Sequence, residues 1–385
     1  MRVALVHDWL TGMRGGERCL KFFLKVYPEA DIYTLVHVAG STDRLIDRRV
    51  CGTSALNKLP GIGRYYRLFL PLYPSAISTF DFSDYDLVIS LSHAAAKNIH
   101  VPESVPHLCY CFTPMRYIWD QANSYFGALT LPLWPVIKGL RNWDKRGAEG
   151  VTRFAAISKL VKARIRKFYG RRAEIIYPPV DTSWISPAHS EKGEAYLYAG
   201  ALVPYKRPDL VVEVFNDLKK ELWIAGSGPM EKKLRRMAGP NIKFLGRVSD
   251  IRLAEIYAAC RALIFPGKED FGMIPVECMA AGRAVIGLFS GGLRETVDGV
   301  RYWDSSDIAK EAASGVFFRK SREQAKELKN AIGFFENNQE LFSPEVCIRQ
   351  AKKFSPERFL VEWGKFVEHS VGIGSGSDIR QAGNA

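Results

Sequence analysis

The sequence contains no uninterrupted apolar run long enough to cross a bilayer. A spanning helix needs about 20 mostly apolar residues, and no stretch of this chain reaches that length. The opening run Met1–Val6 is followed at once by His7 and Asp8, so it is too short and too soon charged for a signal peptide. We therefore expect a cytoplasmic chain that lies on the surface of a membrane where it meets one.

Paired cysteines are missing as well. The seven cysteines occur neither at C-x-x-C spacing nor beside a cluster of histidines. The sequence thus lacks the spacing of zinc sites and of disulfide-rich secreted domains. It predicts free thiols in a reducing compartment, with Cys109 and Cys111 packed in an apolar run rather than bound to a metal.

Acidic residues are scarce relative to basic ones, mainly in the first half of the chain. The 385 residues carry a formal net charge of +13. Residues 1–185 hold 25 Lys and Arg against 15 Asp and Glu, a surplus of 10, and residues 186–385 hold 29 against 26, a surplus of 3. This asymmetry favours a polyanionic partner, namely nucleic acid, an anionic membrane or a phosphorylated acceptor, over a basic surface that only aids solubility. No nucleic-acid-binding motif accompanies the surplus, so we expect no nucleic-acid partner.

Strand-like apolar runs alternate with helical patterns through most of the chain, which is typical of parallel α/β sheets. The alternation stops at Pro178-Pro179 and the polar stretch Ser186–Glu194, and then begins again at Tyr196. We therefore predict an α/β fold of two doubly wound, Rossmann-like domains, over residues 1–185 and 186–345. A C-terminal helix over 346–371 is expected to pack back on the first domain, and a Gly/Ser-rich tail over 372–385 to be disordered.

The segment from Phe265 to Glu277 concentrates the residues that could carry chemistry. A strand is predicted to end at Phe265, with Glu269 in the loop beyond it. Pro275 suits the first position of a helix, which would place Glu277 in the first turn. Free amides at such a helix start bind phosphate, and carboxylates accept hydrogen bonds from sugar hydroxyls. Taken alone, two glutamates at this spacing are more typical of solvated helix ends.

This segment resembles the E-x7-E signature of glycosyltransferase family 4, a retaining family with the GT-B fold of two Rossmann-like domains facing a deep cleft. Other stretches of the chain resemble the family in the same order. They are Gly15–Arg18, Tyr177–Asp181, Ala199–Pro208, Gly226–Pro229, Phe244–Val248 and Gly291–Val297. The resemblance implies an acceptor-binding first domain, a nucleotide-sugar-binding second domain and a hexosyltransferase activity.

The resemblance also implies roles for individual residues. Glu269, Lys206 and Arg207 are the expected catalytic residues: Glu269 holds the donor hexose, while Lys206 and Arg207 stabilise the departing diphosphate. Glu277 is expected to bind the ribose. The remaining donor-binding residues are expected to be Gly15, Gly16, Gly246, Arg247, Val248, Asp270, Phe271, Gly272, Met273 and Ile274. With cations holding the diphosphate and no D-x-D in a ligand context, no metal and no separate cofactor are expected.

Two positions depart from the family pattern. Ala201 stands where many members have an arginine, and Phe112 stands where many have a histidine that contacts the donor sugar. Either Thr113 or a nearby group replaces that histidine, or its contact with the donor sugar is not needed. His93 follows a predicted strand and is more typical of a structural hydrogen-bonding residue, while His7-Asp8 lies at a strand end with its role left open.

The segment Tyr110–Asp120 is similar to bacterial mannosyltransferase-type members that build O-antigen and other surface polysaccharides, including lipopolysaccharide. The resemblance therefore favours GDP-mannose as the donor and a lipid-diphosphate-linked or glycan acceptor. A UDP-sugar donor is the first alternative. A nucleotide-sugar epimerase and a non-catalytic nucleotide-sugar-binding protein are alternatives of another class.

Two segments mix apolar and basic residues. Leu56–Tyr73 could lie in a membrane interface or form a buried helix, and the helix predicted over Lys159–Tyr169 carries cations opposite an apolar stripe. We expect peripheral association with the inner face of the cytoplasmic membrane.

Overall fold

The computed structural model describes residues 1–185, 193–308 and 311–372. The chain folds as two compact units. Residues 1–178 together with the described chain from Phe359 onward form the N-terminal unit, and residues 179–358 form the C-terminal unit. The division falls between Pro178 and Pro179, ahead of the boundary predicted at residue 185. The predicted tail lies outside the described residues except for Gly372.

The N-terminal unit is built on a parallel sheet of seven described strands in the order β3-β2-β1-β4-β5-β6-β7. The strands are β1 (Val3–Leu10), β2 (Asp31–His37), β3 (Val50–Thr53), β4 (Leu87–Ser92), β5 (His107–Cys111), β6 (Arg153–Ala156) and β7 (Ala173–Ile175). Every residue of β1, β4 and β5 is buried, which explains their continuous apolar character. The order changes direction between β1 and β4, and this is where ligands bind in open α/β sheets.

Helices connect these strands. They are α1 (Gly15–Val26), α2 (Arg44–Arg49), α3 (Ile62–Tyr65), α4 (Tyr73–Ile77), α5 (Ala122–Phe126), α6 (Trp134–Gly147) and α7 (Lys159–Tyr169), with 3₁₀ turns at Ala55–Lys58, Tyr66–Leu72, Ala96–Asn98 and Gly127–Thr130. Helix α7 has the bounds predicted for it, and Ser158 caps its first turn by accepting a hydrogen bond from the Val161 amide at 3.2 Å. Its apolar residues Val161 and Ile165 are buried.

The C-terminal unit repeats this arrangement, except that its last two strands exchange places. Its parallel sheet has the described order β10-β9-β8-β11-β12-β14-β13. The strands are β8 (Tyr196–Ala199), β9 (Leu222–Ala225), β10 (Ile242–Gly246), β11 (Leu263–Phe265), β12 (Val285–Leu288), β13 (Gly299–Arg301) and β14 (Gly315–Phe318). The helices are α8 (Pro208–Leu218), α9 (Glu231–Met237), α10 (Asp250–Ala259), α11 (Met273–Ala280), α12 (Leu293–Thr296), α13 (Ser305–Ile308), α14 (Gln324–Asn337) and α15 (Pro344–Lys352), with 3₁₀ turns at Pro204–Lys206 and Gln339–Leu341. Two Rossmann-like units were predicted, and two are observed.

The segment predicted as one C-terminal helix is divided in two. Helix α15 ends at Lys352 and packs against α11 of the C-terminal unit. Helix α16 (Pro356–Val371) begins at a proline, which cannot continue a preceding helix. From Phe359 onward α16 packs on α1, where the Trp363 ring lies 4.8 Å from the Phe23 ring and its indole N–H donates to the Tyr27 hydroxyl at 3.0 Å. The described helices include none whose length and apolar composition would carry it through a bilayer.

Candidate functional site

The loop after β11 turns sharply into α11 at Gly272. Gly272 has φ +93°, a conformation that side chains rarely adopt, and it is the N-cap residue of the helix. The helix therefore begins at Met273, two residues earlier than predicted. Pro275 is its third residue, and Glu277 lies in the second turn rather than the first. The free amides at this helix start belong to Gly272, Met273 and Ile274.

A pair of glycines from outside this loop holds it in place. A side chain on Gly291 would lie 2.2 Å from the Glu269 carbonyl oxygen, and one on Gly292 would lie 2.4 Å from the Asp270 carbonyl oxygen. The Gly292 amide also donates to the Glu269 carbonyl at 2.8 Å. Because backbone packs directly on backbone, the segment Glu269–Phe271 has little freedom to shift.

Lys206 and Glu269 form an ion pair at this loop. Their side-chain atoms Nζ and Oε1 lie 2.5 Å apart, and the side chains are 17% and 23% exposed. Glu269 Oε1 is buried and accepts no hydrogen bond of normal angle from the described residues. The burial of Tyr198 and the charge of Glu269 raise the pKa of the Tyr198 hydroxyl above its usual range. In the Lys206–Glu269 pair, the carboxylate oxygen that contacts the ammonium can thus still accept a hydrogen bond from a hydroxyl group.

Three strand ends of the C-terminal unit meet beside this ion pair. The Gly226 amide donates to the Gly246 carbonyl at 2.7 Å, and a side chain on Gly226 would lie 1.9 Å from the Gly200 carbonyl oxygen. A side-chain carbon on Gly200 would in turn lie 3.5 Å from Lys206 Nζ. The predicted donor-binding segment Gly246–Val248 begins at this edge: Gly246 has φ +67°, and Arg247 beyond it is exposed.

Glu277 is a buried carboxylate. It is 3% exposed, and its Oε2 accepts a hydrogen bond from the Tyr257 hydroxyl at 2.9 Å. Tyr257 lies on α10 and is completely buried. It fixes the direction of the Glu277 carboxylate, a function that the sequence analysis did not predict. Twenty residues separate the two, and no pattern in a single sequence links them.

Arg207 contacts side chains of the C-terminal unit. Its backbone is left-handed, with φ +53°, and it precedes α8. The guanidinium lies 3.3 Å from the Asp209 carboxylate and donates to the Gln324 side chain at 2.6 Å. These contacts tie Arg207 to the start of α8 and to α14. Its predicted contact with a diphosphate stays a prediction.

In the N-terminal unit, the predicted glycines Gly15 and Gly16 open α1. A side-chain carbon at position 16 would lie 3.2 Å from His7 Nε2 and 3.5 Å from the Phe112 ring. The Arg14 amide before the helix donates to the Glu17 carboxylate at 3.0 Å. Glycine at position 16 thus lets the first turn pack directly over His7.

Asp8 and His93 form a second pair in this unit. The Asp8 carboxylate accepts the amides of residues 93–96 at 2.6, 3.0, 2.5 and 2.7 Å, and its Oδ2 lies 2.8 Å from His93 Nδ1. Burial raises the pKa of Asp8, but the charge of His93 and the hydrogen bonds outweigh burial and hold it below its usual range. The sequence analysis left the role of Asp8 open because these partners lie more than 80 residues away.

The segment Tyr110–Asp120, which suggested the subgroup, is anchored by buried polar contacts. The Trp119 indole N–H donates to Asp144 at 2.7 Å, and Arg164 pairs with Asp120 at 2.9 Å. Asp144 also pairs with the buried Lys97 at 2.7 Å. These contacts give the segment a structural role within the N-terminal unit.

No group of three or more His, Cys, Asp and Glu side chains arranged to hold a metal ion occurs among residues 1–185, 193–308 and 311–372. All seven cysteines lie in this part of the chain and are free thiols.

Comparisons with known proteins agree with the fold. Residues 183–354 match the family described as Glycosyl transferases group 1. The Anabaena protein HepE in complex with UDP covers 96% of this chain and 100% of its own, at 16% identity and a TM-score of 0.68. Sucrose-phosphate synthase from Thermosynechococcus elongatus covers 96% and 99% at 15% identity, with a TM-score of 0.72. These likenesses show the fold.

Curated relatives are more similar in sequence over shorter spans. An uncharacterized glycosyltransferase of Methanocaldococcus jannaschii is 29% identical over 233 residues, which are 57% of this chain and 64% of that protein. A Corynebacterium glutamicum protein named GDP-mannose-dependent monoacylated alpha-(1-6)-phosphatidylinositol monomannoside mannosyltransferase is 27% identical over 195 residues, 43% of this chain and 51% of that one. The match thus spans about half to two thirds of the length of these two relatives. Residues 183–354 thus match the glycosyl transferases group 1 family, in a chain that has the GT-B fold of two Rossmann-like units.

Proposed function

We propose that this protein is a retaining glycosyltransferase that moves a hexose from a nucleotide-sugar to a lipid-linked or polysaccharide acceptor. The observation that carries the proposal is the Lys206–Glu269 ion pair beside the free amides of α11. A cation and a helix start form an anion-binding site suited to a diphosphate, and the adjoining carboxylate suits a sugar hydroxyl. Residues 183–354 contain all of these groups and match a glycosyltransferase family.

In this proposal each group acts on a defined part of the donor. Lys206 and the amides of Gly272 to Ile274 stabilise the diphosphate as it departs, and Glu269 binds a hexose hydroxyl. Tyr257 directs Glu277 toward the ribose hydroxyls. Arg207 contributes charge if it exchanges its contact with Asp209 for one with phosphate.

The reaction proceeds by front-side displacement. A bond forms between the acceptor oxygen and the anomeric carbon while the bond from that carbon to the diphosphate oxygen breaks. The acceptor proton passes to the diphosphate oxygen, so the anomeric configuration is retained and the charge balances. The protein contributes positioning and electrostatic stabilisation, and no metal is required in this scheme.

The donor proposed is GDP-mannose, and the sugar transferred is mannose. Relatives from Corynebacterium glutamicum and Mycobacterium tuberculosis are named as GDP-mannose-dependent mannosyltransferases, which supports this choice. A UDP-sugar is the alternative, because structures of HepE with UDP and with UDP-glucose share the fold. The surface-polysaccharide and O-antigen pathway is proposed on the similarity of the segment Tyr110–Asp120 alone.

We place the enzyme at the inner face of the cytoplasmic membrane. The charge surplus of residues 1–185 supports this location, as do several exposed apolar side chains of the N-terminal unit. They are Leu59, Tyr65, Leu68 and Leu72 in one segment and Tyr125, Leu131, Trp134 and Val136 in another. Guanidinium groups lie over neighbouring rings, with Arg64 at 5.4 Å from Tyr65 and Arg141 at 4.8 Å from Trp134. Such a mixture is typical of a membrane-interface surface.

Thermal-shift binding without added metal tests the proposal. GDP, UDP and ADP are compared with GDP-mannose, UDP-glucose and ADP-glucose, each with and without EDTA. A ligand at a hundred times its Kd adds about 2.7 kcal/mol of stability. We expect GDP and GDP-mannose to stabilise the protein, and we expect EDTA to leave this stabilisation unchanged. Stabilisation only by uridine nucleotides would replace the donor, and no response to any nucleotide would overturn the proposed function.

A further inference from the structure

The N-terminal unit contains an open cavity at the amino ends of two neighbouring strands. Its volume is about 1010 Å³, and its lining comes from the start of β6, from α7 and from the start of β7. Open parallel sheets bind their ligands at the carboxyl ends of the strands, so this cavity lies at the opposite edge of its sheet. It is large enough for a small organic ligand. None of its lining residues takes part in the proposed glycosyl transfer.

The chain around this cavity is strongly basic. Residues 151–172 contain eight Lys and Arg residues and neither Asp nor Glu. Residues 1–185 as a whole have a surplus of ten positive charges, so this short stretch supplies most of that surplus. Five cations line the cavity beside a single acid, which is an excess of four positive charges. The cations are Arg153, Lys162, Arg166, Arg171 and Arg172, and the acid is Glu174.

The protein neutralises only one of these cations with a carboxylate. Glu174 pairs with the Arg153 guanidinium. Lys162, Arg166 and Arg172 are exposed, and no carboxylate of the described residues forms an ion pair with them. Lys162 and Arg166 are one helical turn apart on α7, where like charges repel each other and destabilise a helix. A bound anion would relieve this repulsion.

Backbone groups fix the position of Arg171. Its guanidinium donates to four carbonyl oxygens of residues 148–152, at distances of 2.6 to 3.2 Å. Gly170, with φ +70°, ends α7 and turns the chain into β7, which places Arg171 and Arg172 beside the cavity. Carbonyl oxygens carry no net charge, so these hydrogen bonds hold the guanidinium without cancelling its positive charge.

The chemistry of the lining restricts the ligand to an anion with several acceptor oxygens. Lys and Arg side chains only donate hydrogen bonds, and guanidinium groups match the oxygens of phosphate in particular. An excess of four positive charges suits a ligand with more than one phosphate group. Among the described residues, no exposed large apolar side chain lies between Val136 and Tyr205. Recognition at this cavity therefore depends on charge and hydrogen bonds rather than on apolar contact.

We propose that this cavity binds a ligand that carries two or more phosphate groups. Lys162, Arg166 and Arg172 donate to the phosphate oxygens, and the fixed guanidinium of Arg171 adds to the positive potential. The phosphate groups can belong to a soluble molecule or to lipid headgroups, since both present the same oxygens. The site does not rest on the proposed function, because none of the proposed donor-binding residues belongs to it.

Isothermal titration calorimetry of the full chain with sodium pyrophosphate tests the site. The double variant Lys162→Gln and Arg166→Gln should weaken binding at least about tenfold, because two charge-assisted contacts are lost. Both side chains are exposed and glutamine suits a helix interior, so the fold should be kept. The matched control is the double variant Arg44→Gln and Arg48→Gln. It removes two exposed cations at the same spacing from α2 of the same unit and should leave binding unchanged.

The loss should also occur when the compared proteins all carry Lys206→Gln, so pyrophosphate at the proposed donor loop cannot account for it. Flotation with vesicles of phosphatidylglycerol and phosphatidylcholine distinguishes the two sources of phosphate. In the double variant of α7, loss of pyrophosphate binding with unchanged flotation identifies a soluble ligand, and loss of both identifies the lipid headgroup. Pyrophosphate binding that is absent from the unmodified protein, that persists in this double variant or that falls equally in the control would overturn the proposal.

Discussion

Lys206 Nζ lies 2.5 Å from Glu269 Oε1, and this contact joins two residues that are 63 positions apart in the sequence. The 3₁₀ turn Pro204–Lys206 places the lysine, and the loop after β11 places the glutamate. Gly267 in that loop packs on Lys206, because a side-chain carbon at position 267 would lie 3.0 Å from the Lys206 Cα. The backbone contact between these two segments therefore holds the ion pair in place.

Lys206→Gln should lower kcat with the nucleotide-sugar about 100-fold, because one cationic contact to the departing diphosphate is lost. Steady-state kinetics measures this effect. The matched control is Lys220→Gln, since Lys220 pairs with Glu336 at 2.8 Å in the same unit, outside the proposed site. Equal rates for the two variants would remove Lys206 from the mechanism.

Tyr257→Phe should raise the KM for the donor about threefold to tenfold and leave kcat nearly unchanged. The variant keeps the ring in the core but removes the hydrogen bond that directs Glu277, so uniform donor binding weakens. Tyr196→Phe is the control, because Tyr196 donates to Glu336 at the same distance of 2.9 Å. If both variants raise the KM alike, Tyr257 has only a structural role.

The elements that sequence predicted best carry their own end signals. Helix α7 is capped by Ser158 and ends at Gly170, which has φ +70°. The start of α11 was misplaced because it depends on Gly272 and on the glycine pair Gly291-Gly292 packed against the loop from elsewhere in the chain. Local chemistry fixes the first kind of boundary, and tertiary contact fixes the second.

The predictions for the candidate site also divide into those that local motifs supported and those that depend on tertiary contacts. Glu269, Glu277 and Lys206 were predicted as site residues from the order of motifs, and the structure brings Lys206 and Glu269 together. The partners of buried carboxylates were not found: Tyr257 holds Glu277, and the amides of residues 93–96 hold Asp8. Hydrogen bonds between distant segments leave no periodic trace in one sequence, so only the folded chain reveals them.

Asp144→Asn should destabilise the N-terminal unit by about 3 kcal/mol or more in urea denaturation. Asp144 accepts hydrogen bonds from Lys97 at 2.7 Å, Trp119 at 2.7 Å and Tyr169 at 2.8 Å, and it is fully buried. The variant leaves the Lys97 ammonium buried without a counter-charge. The comparison is Asp217→Asn, which breaks the partly exposed pair with Lys329 and should destabilise the protein much less, because solvent screens that pair. Equal losses of unfolding free energy in the two variants would show that the buried network contributes no more to stability than the exposed ion pair does.

Acid should destabilise the protein in part through His107. Burial is the main cause that lowers the pKa of His107 to about 3, with the charge of Lys97 acting in the same direction. An unfolded histidine takes up its proton near pH 6.5. Between these values the unfolded state binds more protons, so the free energy of unfolding falls as the pH falls, by about 1.4 kcal/mol per unit for one proton. His107→Gln should flatten the stability profile between pH 6 and 4 by about that slope, and parallel profiles would contradict the assignment.

The membrane surface is tested by the double variant Leu68→Asp and Leu72→Asp. Leu68 is 76% exposed in the N-terminal unit, and both side chains lie in the 3₁₀ segment Tyr66–Leu72 beside Arg67. Placing two carboxylates there removes apolar area and repels anionic headgroups, so flotation with phosphatidylglycerol vesicles at low salt should weaken at least about tenfold. Ile251→Asp is the control, since Ile251 is 77% exposed but lies in the C-terminal unit. Donor-induced thermal stabilisation should stay unchanged in both variants, which shows that they still fold and bind the donor. Equal flotation of the unmodified protein, the double variant and the control variant would show that this segment does not contact the membrane.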